Sequence, residues 1–377
     1  MIALEAAPFV EPAYGIRSLG DVLPAVAGAL GITVELPETR LELPPGEKYV
    51  VFLIDGLGHH QLAEHAQDAP YLHSLLDGSL VGTAGVPSTT STSLTSLGTA
   101  LVPGAHGLVG FTTRVPETGR LLNALKWDKR VDPEEWQPNP TAFGRLAAAG
   151  VHTTVVSKRE FAHSGLSDCF QRGAAFVGAD RVGERIAAVV EAAWESPSLT
   201  YVYDGDLDWT GHRYGVDSLQ WRAQLAAIDT GAEQLRQSLG RDTRMVVVAD
   251  HGMVDSPTSA RLDIAQHAEL RSGVQLLGGE ARFRHLYCEH GAAADVTAAW
   301  REVLGERATV LTRDEVVARG WFGPVAAGVR PRLGDVVVAA HDDFALISSA
   351  DFAYETKLIG LHGSLTPREM LIPILVS

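Results

Sequence analysis

Two hydrophobic rhythms alternate along the chain. Near-continuous apolar runs stand at Tyr49–Asp55 (YVVFLID) and Met245–Asp250 (MVVVAD), the pattern of strands buried on both faces of a parallel sheet, and Val151–Ser157 (VHTTVVS) and Leu199–Tyr203 read as further strands. Between them apolar residues recur every three or four positions. This predicts helices over Leu19–Leu30 (ended by Gly31), Leu62–Leu76 (interrupted at Pro70), Thr141–Ala149, Val182–Trp194 and Leu219–Leu239. Leu80–Val86 reads as a further buried strand. Ser88 and Thr89, both good N-cap residues, then open a helix carrying Leu94, Leu97 and Leu101 that ends near Pro103-Gly104. LIPILV at 371–376 makes a last strand. Such alternation means an α/β fold with a mostly parallel central sheet flanked by helices.

After Pro257 the rhythm shortens. Strands over Phe283–Cys288, Thr309–Leu311 and Asp335–Ala340 mix with helices over Ala293–Leu304 and Arg313–Arg319. We therefore expect a catalytic core of residues 1–256 and 346–377, with a small α+β cap subdomain inserted at 257–345.

Composition narrows the class. With 377 residues, 46% hydrophobic and 20% charged, the chain can bury a large core. Its formal charge of −15, with no Lys/Arg run to offset it, argues against a nucleic-acid polymer or an anionic membrane as partner. An anionic substrate must then be attracted locally, by bound metal or a helix terminus. Cys169 and Cys288 are the only cysteines, which fits a reducing compartment. The N-terminal stretch lacks the pattern of a signal peptide, and no apolar run reaches ~20 residues, so the expectation is a cytoplasmic protein.

The chemistry sits at strand ends. Asp55 closes one strand and Asp250-His251-Gly252 another, Asp208 and His212 stand four apart just after a third, and His362-Gly363-Ser364 follows a short apolar stretch near the C-terminus. A lone histidine or a strand-end aspartate is usually structural. Four such places on one sheet converge on one edge, and imidazole with carboxylate suits zinc, with manganese or iron as alternatives.

These residues resemble the alkaline phosphatase superfamily, in its branch of type I phosphodiesterases and nucleotide pyrophosphatases. The resemblance is carried by FLIDG (52–56), PSTTSTSLTSLGTAL (87–101), HGLVGF (106–111), DWTGHRYG (208–215), VVADHGM (247–253) and LHGS (361–364). It implies one metal held by Asp208, His212 and His362, a second held by Asp55, Asp250 and His251, and Thr90 between them as nucleophile. Thr89, Ser91 and Thr92 are the rival hydroxyls. The expected activity is metal-dependent hydrolysis of a phosphodiester or nucleotide pyrophosphate bond through a phospho-threonine intermediate, the partner being a small phosphorylated molecule. The alternatives are a phosphomonoesterase or phosphonate hydrolase on the same core and, less in keeping with the complete ligand set, a binding protein. The sequence departs from the family in lacking an asparagine after His106-Gly107 and in carrying Ser91-Thr92-Ser93 where the family has aromatic-Pro-Asn. Asn123, Lys126 or a backbone N–H must then hold the phosphoryl oxygens. Phe111 and Trp127 are candidate stacking walls, and LKWDKR (125–130) reads either as a substrate platform or as a solvated loop.

Overall fold

The computed structural model describes residues 9–377. Six strands of the central sheet come first in the chain: β1 (Lys48–Ile54), β2 (Leu80–Thr83), β3 (His152–Ser157), β4 (Ala175–Gly178), β5 (Ser198–Asp204) and β6 (Thr243–Val248). A second sheet follows, built from β7 (Val274–Glu280), β8 (Phe283–Cys288), β9 (Ala308–Thr312) and β10 (Val336–Ala340). The last strand, β11 (Leu371–Val376), returns to the central sheet, whose order is β2-β11-β6-β1-β5-β3-β4. β1 runs parallel to β5 and β6, and β3 runs parallel to β4 and β5. Only β11 is antiparallel, pairing with β2 and β6. The expected mostly parallel α/β architecture is what forms. β1 lies in the middle, and its run from Tyr49 to Ile54 is buried throughout, which is why the sequence there shows no alternation.

Four helices position the site: α1 (Val22–Ala29), α2 (Thr90–Thr99), α3 (Asp206–Tyr214) and α4 (Leu219–Ser238). Boundaries differ from expectation where backbone geometry intervenes. The first helix begins as a 3₁₀ turn over Leu19–Asp21. α2 stops at Thr99 because Ala100 adopts a left-handed conformation (φ 61°), and Pro103 starts a separate short turn. The stretch from Leu62 to Leu76 divides into two short helices, His59–Glu64 and Pro70–Ser74. β2 ends at Thr83, where the chain leaves the sheet toward the start of α2.

The second sheet is antiparallel throughout, in the order β7-β8-β10-β9. Alternation along its strands gives it two apolar faces. Leu286, Val336 and Val338 pack with Trp300 in a cluster of their own, while Phe283, Val337 and Ala339 join the main core. Two fully buried ion pairs reinforce the join, Arg282 to Glu369 at 2.7 Å and Arg284 to Glu355. Among the described residues no helix is long and apolar enough to cross a membrane.

Candidate metal centre

Register brings the acidic residues together. Leu53 pairs with Val248 and Ile54 with Asp204, so one or two residues later Asp55 and Asp250 leave the sheet side by side at its carboxyl edge. Asp208 arrives on the first turn of α3, just beyond β5. Gly56 makes this approach possible: its φ is +77°, and a Cβ there would lie 3.0 Å from the Asp208 side chain. Asp55 and Asp250 are 2% and 0% exposed.

The three histidines are held by their backs. Nδ1 of His212 bonds the Gly360 carbonyl at 2.8 Å, that of His251 the Gly252 carbonyl at 3.0 Å, and that of His362 the Ser88 carbonyl at 2.9 Å. A carbonyl only accepts, so each ring carries its proton on Nδ1 and turns a lone pair inward on Nε2. The consequence is testable against the geometry. Nε2 of His212 and Nε2 of His362 stand 3.2 Å apart, close enough for one cation to replace whatever proton they share. Asp55 Oδ1, Asp208 Oδ1 and Asp250 Oδ2 are buried without a hydrogen-bond donor. Orphan acceptors crowded this way are costly in an apo protein and are what divalent cations require. The donor set therefore fits metal. Ligand atoms gather within 4.8 Å of one another in two groups, Asp55/Asp250/His251 and Asp208/His251/His362. His212 joins the second through Asp208 Oδ2 at 3.3 Å, so His251 lies between both groups.

Electrostatics carry the same signature. Burial pushes the Asp55 and Asp250 carboxyls up, and for Asp55 the charge of Asp250 adds to it. Burial acts on Asp208 too, but the His212, His362 and His251 imidazoles together outweigh it and hold Asp208 below the ordinary carboxylate range. His212 is opposed by burial yet driven by Asp208 to about 9. His362 is pushed well below its usual value by burial, with His251 contributing.

Thr90 is the first residue of α2 and 8% exposed. Its Oγ1 lies 3.4 Å from Asp55 Oδ2 and 3.3 Å from His251 Nε2. Among the rivals, Ser91 Oγ is turned to the Gly110 carbonyl at 3.2 Å. Thr89 takes the N-cap position with extended backbone but makes no side-chain cap, contrary to expectation. Ser88 does not cap either; its hydroxyl donates to Ser364 O (2.6 Å) and so ties the start of α2 to the loop after His362. The first-turn N–H groups of α2 have no intrahelical acceptor and open beside Thr90.

Two cavities meet at Thr90, Leu125 and Asp208. One, about 290 Å³, runs past Phe111, Trp209, Tyr354 and Glu280; the other, about 300 Å³, past Phe161, Phe170, Tyr201 and Tyr203. Of the four substrate residues expected from sequence, only Phe111 lines either one, edge-on to Tyr354 with ring centroids 6.2 Å apart. Asn123 is used locally, accepting from the N–H groups of Leu125 and Lys126 at 3.0 and 2.9 Å. Trp127 donates to Val131 O at 2.8 Å and packs against Trp136, and the Lys126 side chain is exposed outside both cavities. The loop contributes Leu125 instead, one residue before the lysine. Sequence reasoning also missed Tyr203, whose hydroxyl donates to Asp55 Oδ2 at 2.5 Å, and Glu280, which comes 3.8 Å from His362 Nδ1. Burial pushes the Glu280 carboxyl up to about 8, with the Thr89 hydroxyl beside it pulling the other way.

This fold, with its paired ligand groups at one sheet edge, is that of the alkaline phosphatase superfamily. The sequence profile of the type I phosphodiesterase / nucleotide pyrophosphatase family matches residues 49–365, and the chain belongs to that family of phosphoester hydrolases. Human ectonucleotide pyrophosphatase/phosphodiesterase family member 7 is 35% identical over 69 residues, a match spanning 16% of this chain and 15% of that protein. Among solved structures, murine ectonucleotide pyrophosphatase/phosphodiesterase 5 superposes with a TM-score of 0.70 at 17% identity, covering 87% of each chain. An inactive threonine-to-alanine variant of it in complex with AMP gives 0.69, again at 17% identity over 87% of each chain. Phosphonoacetate hydrolase from Sinorhizobium meliloti, in complex with phosphonoformate, gives 0.66 at 19% identity over 92% of each chain.

Proposed function

We propose that this protein hydrolyses phosphodiester or nucleotide pyrophosphate bonds at a two-cation centre, with Thr90 as nucleophile. The observation that carries the reading is the placement of Thr90 Oγ1 within 3.4 Å of Asp55 and His251, beside three buried carboxylate oxygens that lack donors. Asp208, His212 and His362 would hold one divalent ion and Asp55, Asp250 and His251 the other, zinc being the first choice and manganese or iron the alternatives. When bound, such ions supply charge stabilisation for the attacking and leaving oxygens. The chain's own contribution is orientation. Tyr203 fixes the Asp55 carboxylate, the three backbone carbonyls fix the imidazoles, and the first-turn N–H groups of α2 face the phosphoryl oxygens. Thr90 Oγ1 forms a bond to phosphorus and gives up its proton as the P–O bond to the leaving group breaks; the leaving group departs with that electron pair and takes up the proton to become the free alcohol or phosphate. Water then cleaves the Thr90–phosphorus ester and restores the hydroxyl. The inactive threonine-to-alanine variant of the murine neighbour supports asking Thr90 for this role.

A diester is favoured over a monoester. No Lys or Arg lines either cavity at Thr90, so among the described residues nothing there meets the second charge of a monoester. Arg114 is turned away, donating to Pro331 O at 3.1 Å and stacking on Tyr287. The phosphonate-bound neighbour keeps phosphonate cleavage as the second reading. We further place the protein in the cytoplasm, supported by the free thiols of Cys169 and Cys288, and treat 257–345 as an inserted unit that walls one cavity. Elemental analysis with a panel of aryl diesters and monoesters tests the reading: about two metal equivalents, loss of activity to chelators, and diester preference are expected. Metal-free protein with full activity, or a tenfold monoester preference, would overturn it.

A further inference from the structure

One buried loop beside the centre has no regular structure of its own. Gly107–Phe111 joins a short helical turn, Pro103–His106, to a hairpin whose strands are Thr112–Val115 and Arg120–Asn123. Gly107, Leu108, Val109 and Gly110 are all buried, so their backbone polar groups need partners. Two histidines, His106 and His285, supply some of them, and they are 1% and 0% exposed. His106 Nδ1 accepts from the Leu108 N–H at 3.1 Å, which leaves its proton on Nε2, turned to the Ser96 hydroxyl of α2 at 2.9 Å. His285, on β8, works the same way from the other side. Its Nδ1 accepts from the Gly334 N–H at 3.1 Å, so Nε2–H donates to the Val109 carbonyl at 2.8 Å. Burial pushes the two imidazoles down to about 3 and about 4, so both stay neutral and keep these roles near neutral pH.

The His285 bond reaches the reaction site through the next two residues. Gly110 turns its carbonyl to the Ser91 hydroxyl at 3.2 Å, and Phe111 then walls a cavity at Thr90. The His285 ring has little freedom to turn away. It lies nearly parallel to the rings of Tyr287 and Phe322, at 25° and 27°, and a Cβ on Gly110 would come 3.4 Å from it. Among the described residues no other donor reaches the Val109 carbonyl. Without His285 that carbonyl is buried unpaired, and the loop must shift to find a donor. Resting on the hydrolase reading above, we propose that His285 is a positioning residue for that reaction: from the second sheet it holds the Val109 carbonyl and thereby fixes the Phe111 ring against which substrate is received. His285 lines neither cavity at Thr90, so it acts only through the loop.

Steady-state kinetics on metal-loaded protein test it, with bis(4-nitrophenyl) phosphate and methyl 4-nitrophenyl phosphate as esters. Phe111→Ala sets the reference: KM should rise about five- to tenfold on at least one ester while kcat and metal content hold. His285→Asn keeps an acceptor for the Gly334 N–H but is too short to reach Val109. It should reproduce the Phe111→Ala pattern ester by ester, and the double variant should be no worse than Phe111→Ala alone. His285→Gln, whose amide nitrogen can take the place of Nε2, should restore the wild-type KM. The assignment is overturned, with the hydrolase reading left standing, if His285→Asn matches wild type, lowers kcat or metal content at unchanged KM, or adds its full effect to Phe111→Ala. A wild-type KM in Phe111→Ala on both esters overturns it equally. Turnover of neither ester by the wild type overturns both. Should His285→Asn not fold, nitrogen-15 spectra of histidine-labelled wild type decide. A neutral Nε2–H ring at His285 down to about pH 6 is expected, and an Nδ1–H or charged ring there refutes the bond to Val109.

Discussion

Thr90 contributes a hydroxyl to the chemistry and little to packing, since its neighbours in α2 already fill the core. Thr90→Ala should therefore abolish turnover while leaving fold and metal content intact, and Thr90→Ser should keep part of the rate because it keeps the oxygen. Circular dichroism, elemental analysis and a diester assay on the same preparations check this. If Ser91→Ala or Thr89→Ala proves the inactive variant instead, the nucleophile has been misplaced. The convergence of these Asp and His residues with Thr90 was legible in sequence because each lies at a strand end or helix start inside a short motif. Glu280, Tyr203 and Leu125 were not. Glu280 ends a strand of the second sheet and reaches the centre only by tertiary packing, and nothing in Gly278-Gly279-Glu280 marks it. Lys126 and Trp127 have chemistry that suits a phosphate platform, but the Asn123 turn points the loop so that Leu125, not they, lines the cavities.

At the scale of elements, two contacts hold the ligand loops. Gly56 lets Asp208 close on Asp55; Gly56→Ala puts a side chain at φ +77° and a Cβ against Asp208, and should cost about 1–3 kcal/mol together with metal affinity. Arg282, just before β8, grips both oxygens of Glu369 at 2.7 Å. Glu369 in turn accepts from the Ser364 N–H at 3.0 Å, and its carbonyl accepts from the Gly252 N–H at 2.8 Å. One ion pair thus ties the loops of His251 and His362 to the second sheet. Arg282→Met leaves a buried carboxylate unpaired and should lower stability by about 3–5 kcal/mol, read by denaturant titration, and weaken metal binding with it. A variant with wild-type stability and metal content would contradict this. Strands and helices were readable from periodicity, because β1, β5 and β6 are buried on both faces. The 3₁₀ start before α1 and the early stop of α2 were not, since single-residue backbone geometry decides them.

For the whole molecule, the metal-free state should be sensitive to pH. Glu280 at about 8 and His212 at about 9 both sit above their unfolded values, so between pH 7 and 9 the folded chain binds more protons than the unfolded one. Stability present below that window is lost as pH rises through it. Chelated protein should therefore melt at lower temperature at pH 9 than at pH 7, and metal-loaded protein should resist the change, because its ligands are already deprotonated and paired. Melting curves that coincide for chelated protein at the two pH values would refute this balance of charges. The central claim, attack by Thr90 on phosphorus at a two-cation centre, is tested most directly by acid-quenching a diester turnover and mapping the covalent adduct by peptide mass spectrometry. The account predicts an adduct on Thr90 equal to the phosphoryl group with its retained arm, present with metal and absent after chelation. An adduct on another residue, or multiple turnovers with none, would contradict it.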